Sequence, residues 1–455
     1  LEVKNFVRKN YPSLGHNLGW KICNESQYFK AGLTWTSVSS SFLGVRYSDG
    51  GYLFDARGSM IFPRLYDEKL LLGYLTSKIV AYAAVIINPT LYFGINDVKT
   101  LPVKMNALDL LRTRIDNLAS TSIQMARDDW DSFETSWDFK SFPWITAPHK
   151  ASTTEQSFRN WESHLNSQIK RMQELETENN RLWIDAYGLQ DELTPEVPED
   201  QITLARPDAE KDVKRLISYA LGCMMGRYSL DEPGLMYAHS GNEGFNSNKY
   251  KTFPADDDGI IPVTDVEYFN DDATKRFEEF IRTLWASDTL EENLKFIAEA
   301  LTGKKNTDSR EAIRKYLSSN FYKDHLQTYK NRPIYWLFSS GKLKAFECLV
   351  YLHRYNSATL SRMRTEYVTK LQGRISGRIQ LIEKDLASTG KGSSTKLRKE
   401  QETLQKKLAE LNAFDDKLRH YADMNISLDL DDGVKVNYGK FGDLLAEVNK
   451  VTGKK

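Results

Sequence analysis

GLTWTSVSSSFLGVRYSDGGYLFDARGSMIFP (32–63) and LLGYLTSKIVAYAAVIINPTLYFGINDVKTLPV (71–103) are the two stretches that decide how this chain begins to fold. The first is rich in Thr, Ser, Val, Phe and Tyr, and its strand signals extend over Asn17–Phe62. Within it, Ser48-Asp49-Gly50-Gly51 reads as a hairpin turn. The second places apolar residues at helical spacing from Leu65 to Ile87 and stops at Asn88-Pro89. A helix cannot continue there, because the residue before proline is pushed out of the helical region. Residues 91–103 then return to a strand pattern. Together these predict strands, one packed helix and a closing strand, with Trp20, Phe42, Phe54, Phe62 and Phe93 in the core. Such a frame is rigid and projects polar loops from its edge.

Outward from this frame the pattern turns helical. Over 106–140, Leu108, Leu111, Ile115, Leu118, Ile123 and Trp130 fall near one face of a long amphipathic helix. A loop over 142–152 leads to a second long helix, 153–186, with Trp161, Leu165, Ile169, Met172 and Leu175 on one stripe. IDAYGLQDELTPEVPEDQITL (184–204) ends that helix and reads as a linker or hinge. Asp208 caps a helix reaching Tyr228, followed by a Gly/Asn-rich loop (241–248) and the acidic turn Asp256-Asp257-Asp258. Three helix patterns occupy about 271–355, the last at Phe346–Tyr355 after the strand-like Pro333–Phe338. Ala358–Leu386 and Thr395–Tyr421 flank a Gly/Ser/Lys break and predict a helical hairpin. The tail (428–448) reads as an acidic turn, a short strand and a final helix. The expected fold class is α+β, with a mixed α/β domain over 1–105 and a helical spacer and hinge over 106–204. A helical domain (205–356) and a basic hairpin with tail (357–455) complete it.

A chain of 455 residues exceeds the usual single core. Its 62 basic residues balance 62 acidic ones, so any basic surface must be local. Such an excess occurs over 359–410, where twelve basic residues meet six acidic ones. Cys23, Cys223 and Cys348 form no CxxC pair, which excludes a disulfide framework or zinc set and leaves them as small buried hydrophobes. The best apolar run, Ile79–Ile87, is half of the ~18 residues a membrane span needs. No secretory signal is present, and a reducing, cytoplasmic setting is expected. The chain starts at Leu1 and enters a structured pattern almost at once, so it reads as the C-terminal part of something longer.

The sequence carries no enzyme constellation of its own. A methyltransferase acting on an amino group needs a glycine-rich cofactor loop after a strand. It also needs an Asn/Asp-Pro-Pro-aromatic loop whose oxygens accept the amine's hydrogens. No Pro-Pro pair occurs, and Asn88-Pro89-Thr90 echoes that loop only superficially, since it ends a helix pattern. Asp256-Asp257-Asp258 reads as a solvated turn rather than a metal site. Gly303-Lys304-Lys305 lacks the earlier glycine of a phosphate loop, and no histidine pair has metal-ligand spacing.

WKICNESQYFKAGLTWTSVS (20–39), YLFDARGSMIFP (52–63) and INPTLYFGINDVKTLPV (87–103) resemble the target-recognition domain of large single-chain adenine-specific DNA methyltransferases. These are relatives of type I specificity subunits and type IIG enzymes. WIDAYGLQDELTPEVPEDQITL (183–204), RPIYWLFSSGKLKAFECLVYLHRY (332–355) and DLDDGVKVNYGKF (429–441) extend the resemblance to the C-terminal half of the PglX family of BREX phage-defence systems. The resemblance implies methylation of adenine at its exocyclic amine with S-adenosylmethionine. That cofactor would be held in an N-terminal catalytic domain outside these residues, so this chain alone is expected to bind no cofactor and to be inactive.

It further implies that residues 17–103 read base edges in a double-stranded DNA major groove. Thr36, Ser39, Ser40, Arg46, Arg57, Tyr92, Asn96 and Lys99 are the expected readers, with Asp49 beside them. The hairpin would clamp phosphates through Arg362, Arg374, Arg378, Lys391, Lys396, Arg398 and Lys399. The implied partners are DNA, the N-terminal methyltransferase domain, other BREX proteins and acidic phage proteins that mimic duplex DNA. No membrane partner is expected. Two alternatives stand beside this reading. One is a free-standing specificity subunit, which usually carries two recognition domains where one is seen here. The other is a helical scaffold that binds other defence proteins without touching DNA.

Overall fold

The structure, a computed structural model, describes residues 2–39, 43–55, 58–388 and 394–453. Ser40, Phe42, Arg57 and Lys391 lie outside the described residues. The fold is α+β, and the chain divides into two compact units, residues 1–129 with 165–205 and residues 130–164 with 206–455.

The first unit contains α1 (Glu2–Asn10), β1 (Gly32–Trp35), β2 (Val45–Ser48), β3 (Met60–Ile61), α2 (Glu68–Leu75), α3 (Lys78–Ile87) and α4 (Ile95–Lys99). To these it adds most of two long helices, α5 (Met105–Asp131) and α6 (Thr154–Tyr187). The strands form an antiparallel sheet in the order β2-β1-β3. Strand alternation sends Leu33 and Trp35 into the core, while Thr34 points away and its hydroxyl donates to the Ser59 carbonyl at 3.0 Å. Gly32 is required by close approach, since a Cβ there would lie 2.6 Å from the Ile61 carbonyl oxygen.

The helix expected over 65–87 is two helices bent by 64°. The break falls at Thr76-Ser77, whose hydroxyls donate to the Leu72 and Tyr74 carbonyls and so compete with helix propagation. The freed Lys78 N–H donates to Asn180 Oδ1 of α6 at 2.9 Å. Gly73 lets α2 lie directly on Ile115 of α5 and Asn179 of α6. Leu70, Tyr74, Ile79, Val80, Leu108, Ile115, Trp183 and Ile184 complete this core. Among the described residues no single helix is long and apolar enough to cross a membrane.

Several expectations change in this unit. Ser48–Gly51 does not join paired strands, because β2 pairs with β1 and not with β3. Instead it bonds to the preceding segment, with the Gly51 N–H on the Phe29 carbonyl and the Phe29 N–H on the Tyr52 carbonyl. Residues 91–103 form no strand beyond a bridge of Tyr92 to Val38; Asp97 caps the Gly94 N–H and starts α4 instead. Trp20 is 78% exposed and Cys23 is also exposed, so neither is core. The expected linker at 184–204 is packed, with Val197, Ile202 and Leu204 buried against Ile169 and Met172.

The second unit holds α7 (Ala209–Met224), β4 (Ile260–Pro262), α8 (Ala273–Leu284), α9 (Leu290–Thr302), α10 (Ser309–Ser319) and α11 (Phe321–Thr328). Then come β5 (Tyr335–Ser339), β6 (Glu347–Tyr351), α12 (Thr359–Arg362), a π-helical stretch (Met363–Val368) and α13 (Thr369–Ser388). The chain closes with α14 (Ser394–Asp423), α15 (Gly433–Gly439) and α16 (Val448–Thr452). Its antiparallel sheet has the order β4-β6-β5 and is buried almost throughout. Phe346–Tyr355, expected as helix, holds β6 in its first half and no helix. A short run of apolar residues fits either state, and burial on both faces selects the central strand. Asp208 caps α7 as expected, accepting from the Lys211 N–H at 3.0 Å.

The hairpin of α13 and α14 is present, with Leu371, Ile375 and Ile382 buried on one arm and Leu411, Phe414 and Leu418 on the other. Trp130, placed on the α5 stripe, is exposed. The alternation Val434-Lys435-Val436-Asn437-Tyr438 is helical, because the Asn437 side chain is tied to the backbone of Asp429 and Gly433. Asp256-Asp257-Asp258 is no solvated turn: Arg354, 1% exposed, donates to the Asp256 and Asp257 carbonyls, and the Tyr367 hydroxyl donates to Asp258.

Candidate nucleic-acid interface

In the first unit the connection between β1 and β2 is pinned against residues 91–93. The Ser39 N–H donates to the Leu91 carbonyl at 2.9 Å, the Phe93 N–H to the Ser37 carbonyl at 2.8 Å, and Trp35 Nε1 to the Phe93 carbonyl at 3.0 Å. This ladder brings Thr36, Ser39 and Tyr92 together, with Asn96 and Lys99 exposed on the α4 that follows. Arg46, on β2, joins them by donating from Nη2 to the Thr36 hydroxyl at 3.1 Å. Thr36, Ser39, Arg46 and Tyr92 thus share one cluster, with Asn96 and Lys99 on the helix that follows it in the chain, while Ser40 and Arg57 lie outside the described residues. Asp49 is committed elsewhere, in an ion pair with Arg127 of α5 at 2.6 Å.

The cluster is held stiffly. Asn88 accepts from the Thr90 N–H and hydroxyl (3.0 and 2.7 Å) and donates to the Tyr92 carbonyl and Asp97 (2.9 and 3.1 Å). All four hydrogen-bonding positions of its amide are used. Asn88 is therefore a turn anchor and not the amine-accepting group of a catalytic loop. The Asn-Pro-Thr triplet already carried that signal, since an Asx turn uses the same atoms. Pattern reading missed the apolar surface here: Val38, Leu91, Tyr92 and Ile95 are each more than half exposed beside the polar readers.

The hairpin of the second unit is less basic in effect than in composition. Arg378 pairs twice with Glu400 (2.8 and 3.1 Å), and those bonds hold the Glu400 carboxyl below its usual range. Arg362 pairs with Glu366 at 3.1 Å, Arg364 grips Asp415 through two bonds, and Lys407 meets Asp265 at 2.6 Å. Arg374 lies over the Phe269 ring at 5.5 Å. Lys396, Arg398 and Lys399 are exposed at the start of α14 and make no ion pair within 4 Å among the described residues. Of the expected phosphate contacts, these three remain uncommitted.

The strand-to-helix connections β3–α2 (62–67), β4–α8 (263–272) and β6–α12 (352–358) contain no glycine among the described residues. Nor is there a group of three or more His, Cys, Asp or Glu among them that could hold a metal ion.

No protein-family model matches the chain. Over 94% of its length it is 45% identical to the adenine-specific methyltransferase BrxX of Escherichia coli O9:H4 (strain HS), covering 37% of that protein. Over 90% of its length it is 40% identical to the adenine-specific methyltransferase PglX of Lacticaseibacillus casei (strain Zhang), covering 34%. It thus spans about a third of each of these curated relatives, and it is a PglX-like chain.

Proposed function

We propose that this chain is the DNA-recognising portion of an adenine-specific methyltransferase that marks host DNA in phage defence. The observation that carries the reading is 45% identity along 94% of the chain to an adenine-specific methyltransferase. The loop cluster of Thr36, Ser39, Arg46 and Tyr92, with Asn96 and Lys99 on the helix that follows it, reads base edges, where each well-placed pair discriminates by about 1–3 kcal/mol. Lys396, Arg398 and Lys399 neutralise phosphates. Catalysis and S-adenosylmethionine belong to the part of the whole protein outside this chain, which is inactive alone. Residues 1–105 form the recognition domain, and 106–204 connect it to the helical remainder (205–356) and the hairpin with its tail (357–455). A rigid reading head supports base flipping, which costs a few kcal/mol and needs the duplex held in register.

The test is titration of the purified chain against labelled duplexes selected from a random pool. The expected result is binding that falls steeply with salt and a sequence preference that weakens in Thr36→Ala/Arg46→Ala. Absence of binding at ~50 mM salt removes the reading in favour of a protein-binding scaffold. Calorimetric binding of S-adenosylmethionine at micromolar affinity overturns the division of labour.

A further inference from the structure

The ladder that pins the β1–β2 connection to residues 91–93 also fixes an apolar pair. Val38 and Tyr92 oppose each other across an antiparallel bridge. The ladder's two hydrogen bonds flank this pair, running from the Phe93 N–H to the Ser37 carbonyl and from the Ser39 N–H to the Leu91 carbonyl. Residues opposed in this way have the shorter Cα separation, and their side chains stand together on one face. Phe93 is buried, so strand alternation turns Tyr92 outward, and Val38 with it. Val38 is 56% exposed and Tyr92 54%. Gly94 leaves room for the Tyr92 ring, since a Cβ there would lie 3.0 Å from Tyr92 Cε1.

This pair lies within the polar reading cluster. Thr36 and Ser39 bracket Val38 in the chain, and Arg46 donates to the Thr36 hydroxyl. An apolar pair is costly opposite a phosphate or a polar base edge, because it takes hydrogen-bonding groups out of water without replacing their partners. The major groove presents one apolar group, the 5-methyl of thymine. Another protein fits less well. A stable protein interface takes about 20–30 residues a side around an apolar core depleted of charge, whereas here the apolar residues are interleaved with polar ones.

We infer that Val38 and the Tyr92 ring seat the 5-methyl group of a thymine, so that the duplex read by the loop cluster carries thymine at the base pair facing them. The inference rests on the DNA-reading proposal above and supplies the chemistry of one position. Uracil presents the same hydrogen-bonding edge as thymine and lacks only this methyl, so it isolates the contact.

The test uses the 455-residue chain and the duplex selected from a random pool, with each thymine replaced in turn by deoxyuridine. One replacement should weaken binding about fourfold, the transfer value of a buried methyl group, and the others should not. Val38→Ser should bind the thymine and deoxyuridine duplexes equally, at an unchanged melting temperature. Tyr92→Phe, which keeps the ring and removes the hydroxyl, should retain the difference. Equal binding of every deoxyuridine duplex by the unaltered chain overturns the inference, and is the result expected if the pair meets another protein. A difference that persists in Val38→Ser, a difference lost in Tyr92→Phe, or a selected site without thymine also overturns it. Each of these leaves the DNA-reading proposal standing, whereas absence of any duplex binding removes both.

Discussion

Both units contain a three-stranded antiparallel sheet, and the two sheets are used in opposite ways. In the second unit β4, β5 and β6 are buried at nearly every position, so that sheet is the centre of a core. In the first unit β2 buries one residue of four, and β3 is two half-buried residues long. That sheet has one solvated side, and its connections stand free to present polar side chains. A fully buried sheet can only hold a unit together. A half-buried one can also display.

The largest expected contrast is in stability. Trp336 of β5 is 1% exposed, packs edge-on against Tyr438 and Phe441, and donates from Nε1 to the Pro333 carbonyl at 3.0 Å. Trp336→Ala should cost about 3–5 kcal/mol in denaturant unfolding. Ile61→Ala in half-buried β3 should cost about 1 kcal/mol. Equal losses would mean that the first sheet is as much a core as the second.

The next contrast separates affinity from preference. Reversing Lys396, Arg398 and Lys399 to Glu should reduce the salt slope of duplex binding by about 2–3, near 0.9 per phosphate contact, without changing which sequence is preferred. Arg46→Ala in the loop cluster should relax the preference with little change in slope. An unchanged slope in the triple variant removes the hairpin from the interface.

Glycines inside helices give a smaller contrast, of opposite sign. A Cβ at Gly73 of α2 would lie 2.3 Å from Ile115 Cγ2, whereas one at Gly373 of α13 meets nothing within 4 Å. Gly73→Ala should destabilise by about 1–2 kcal/mol, because overpacking exceeds the gain in helix propensity. Gly373→Ala should stabilise by up to about 1 kcal/mol. Thermal unfolding of both variants checks the pair.

The same difference explains what the sequence showed. Long amphipathic segments were legible: α6 buries Trp161, Leu165, Ile169, Met172 and Leu175 as its spacing implies, and the hairpin helices and the Asp208 cap also stand where the pattern puts them. Short segments were not. Glu347–Tyr351 is apolar on both faces and has no periodicity to read, and the alternation at 434–438 is overruled by the Asn437 side chain. The loop cluster was legible as a set of polar turn residues, but its coherence comes from hydrogen bonds between segments about fifty residues apart. Glu134, Arg227 and Tyr329, which line one cavity, come from three distant segments and leave no local signal.

The last contrast is in pH. The first unit has one histidine, the exposed His16. The second buries His325, whose Nε2 accepts from the Ile334 and Tyr335 N–H groups (3.2 and 3.1 Å) at the start of β5. Burial, with repulsion from Arg227, pushes its pKa down to about 3. The folded state therefore refuses a proton that the unfolded chain takes up near pH 6.5. This stability is complete above pH 6.5 and is lost as pH falls toward 3, at no more than about 1.4 kcal/mol per pH unit. His353, pushed down to about 4 chiefly by burial, acts with the same sign. Asp256 acts with the opposite sign. Burial and neighbouring Asp258 push it up to about 8, so its folded state keeps a proton and its contribution is lost as pH rises from about 4 to 8. Because these terms oppose each other, the wild-type profile alone identifies neither group, and the difference between variants does. Measured between pH 6.5 and 4, His325→Gln should lose less stability on acidification than the wild type, whereas Asp256→Asn should lose more. A His325→Gln profile parallel to that of the wild type would show that His325 takes up its proton without unfolding, and that the buried sheet is more open to water than its packing implies.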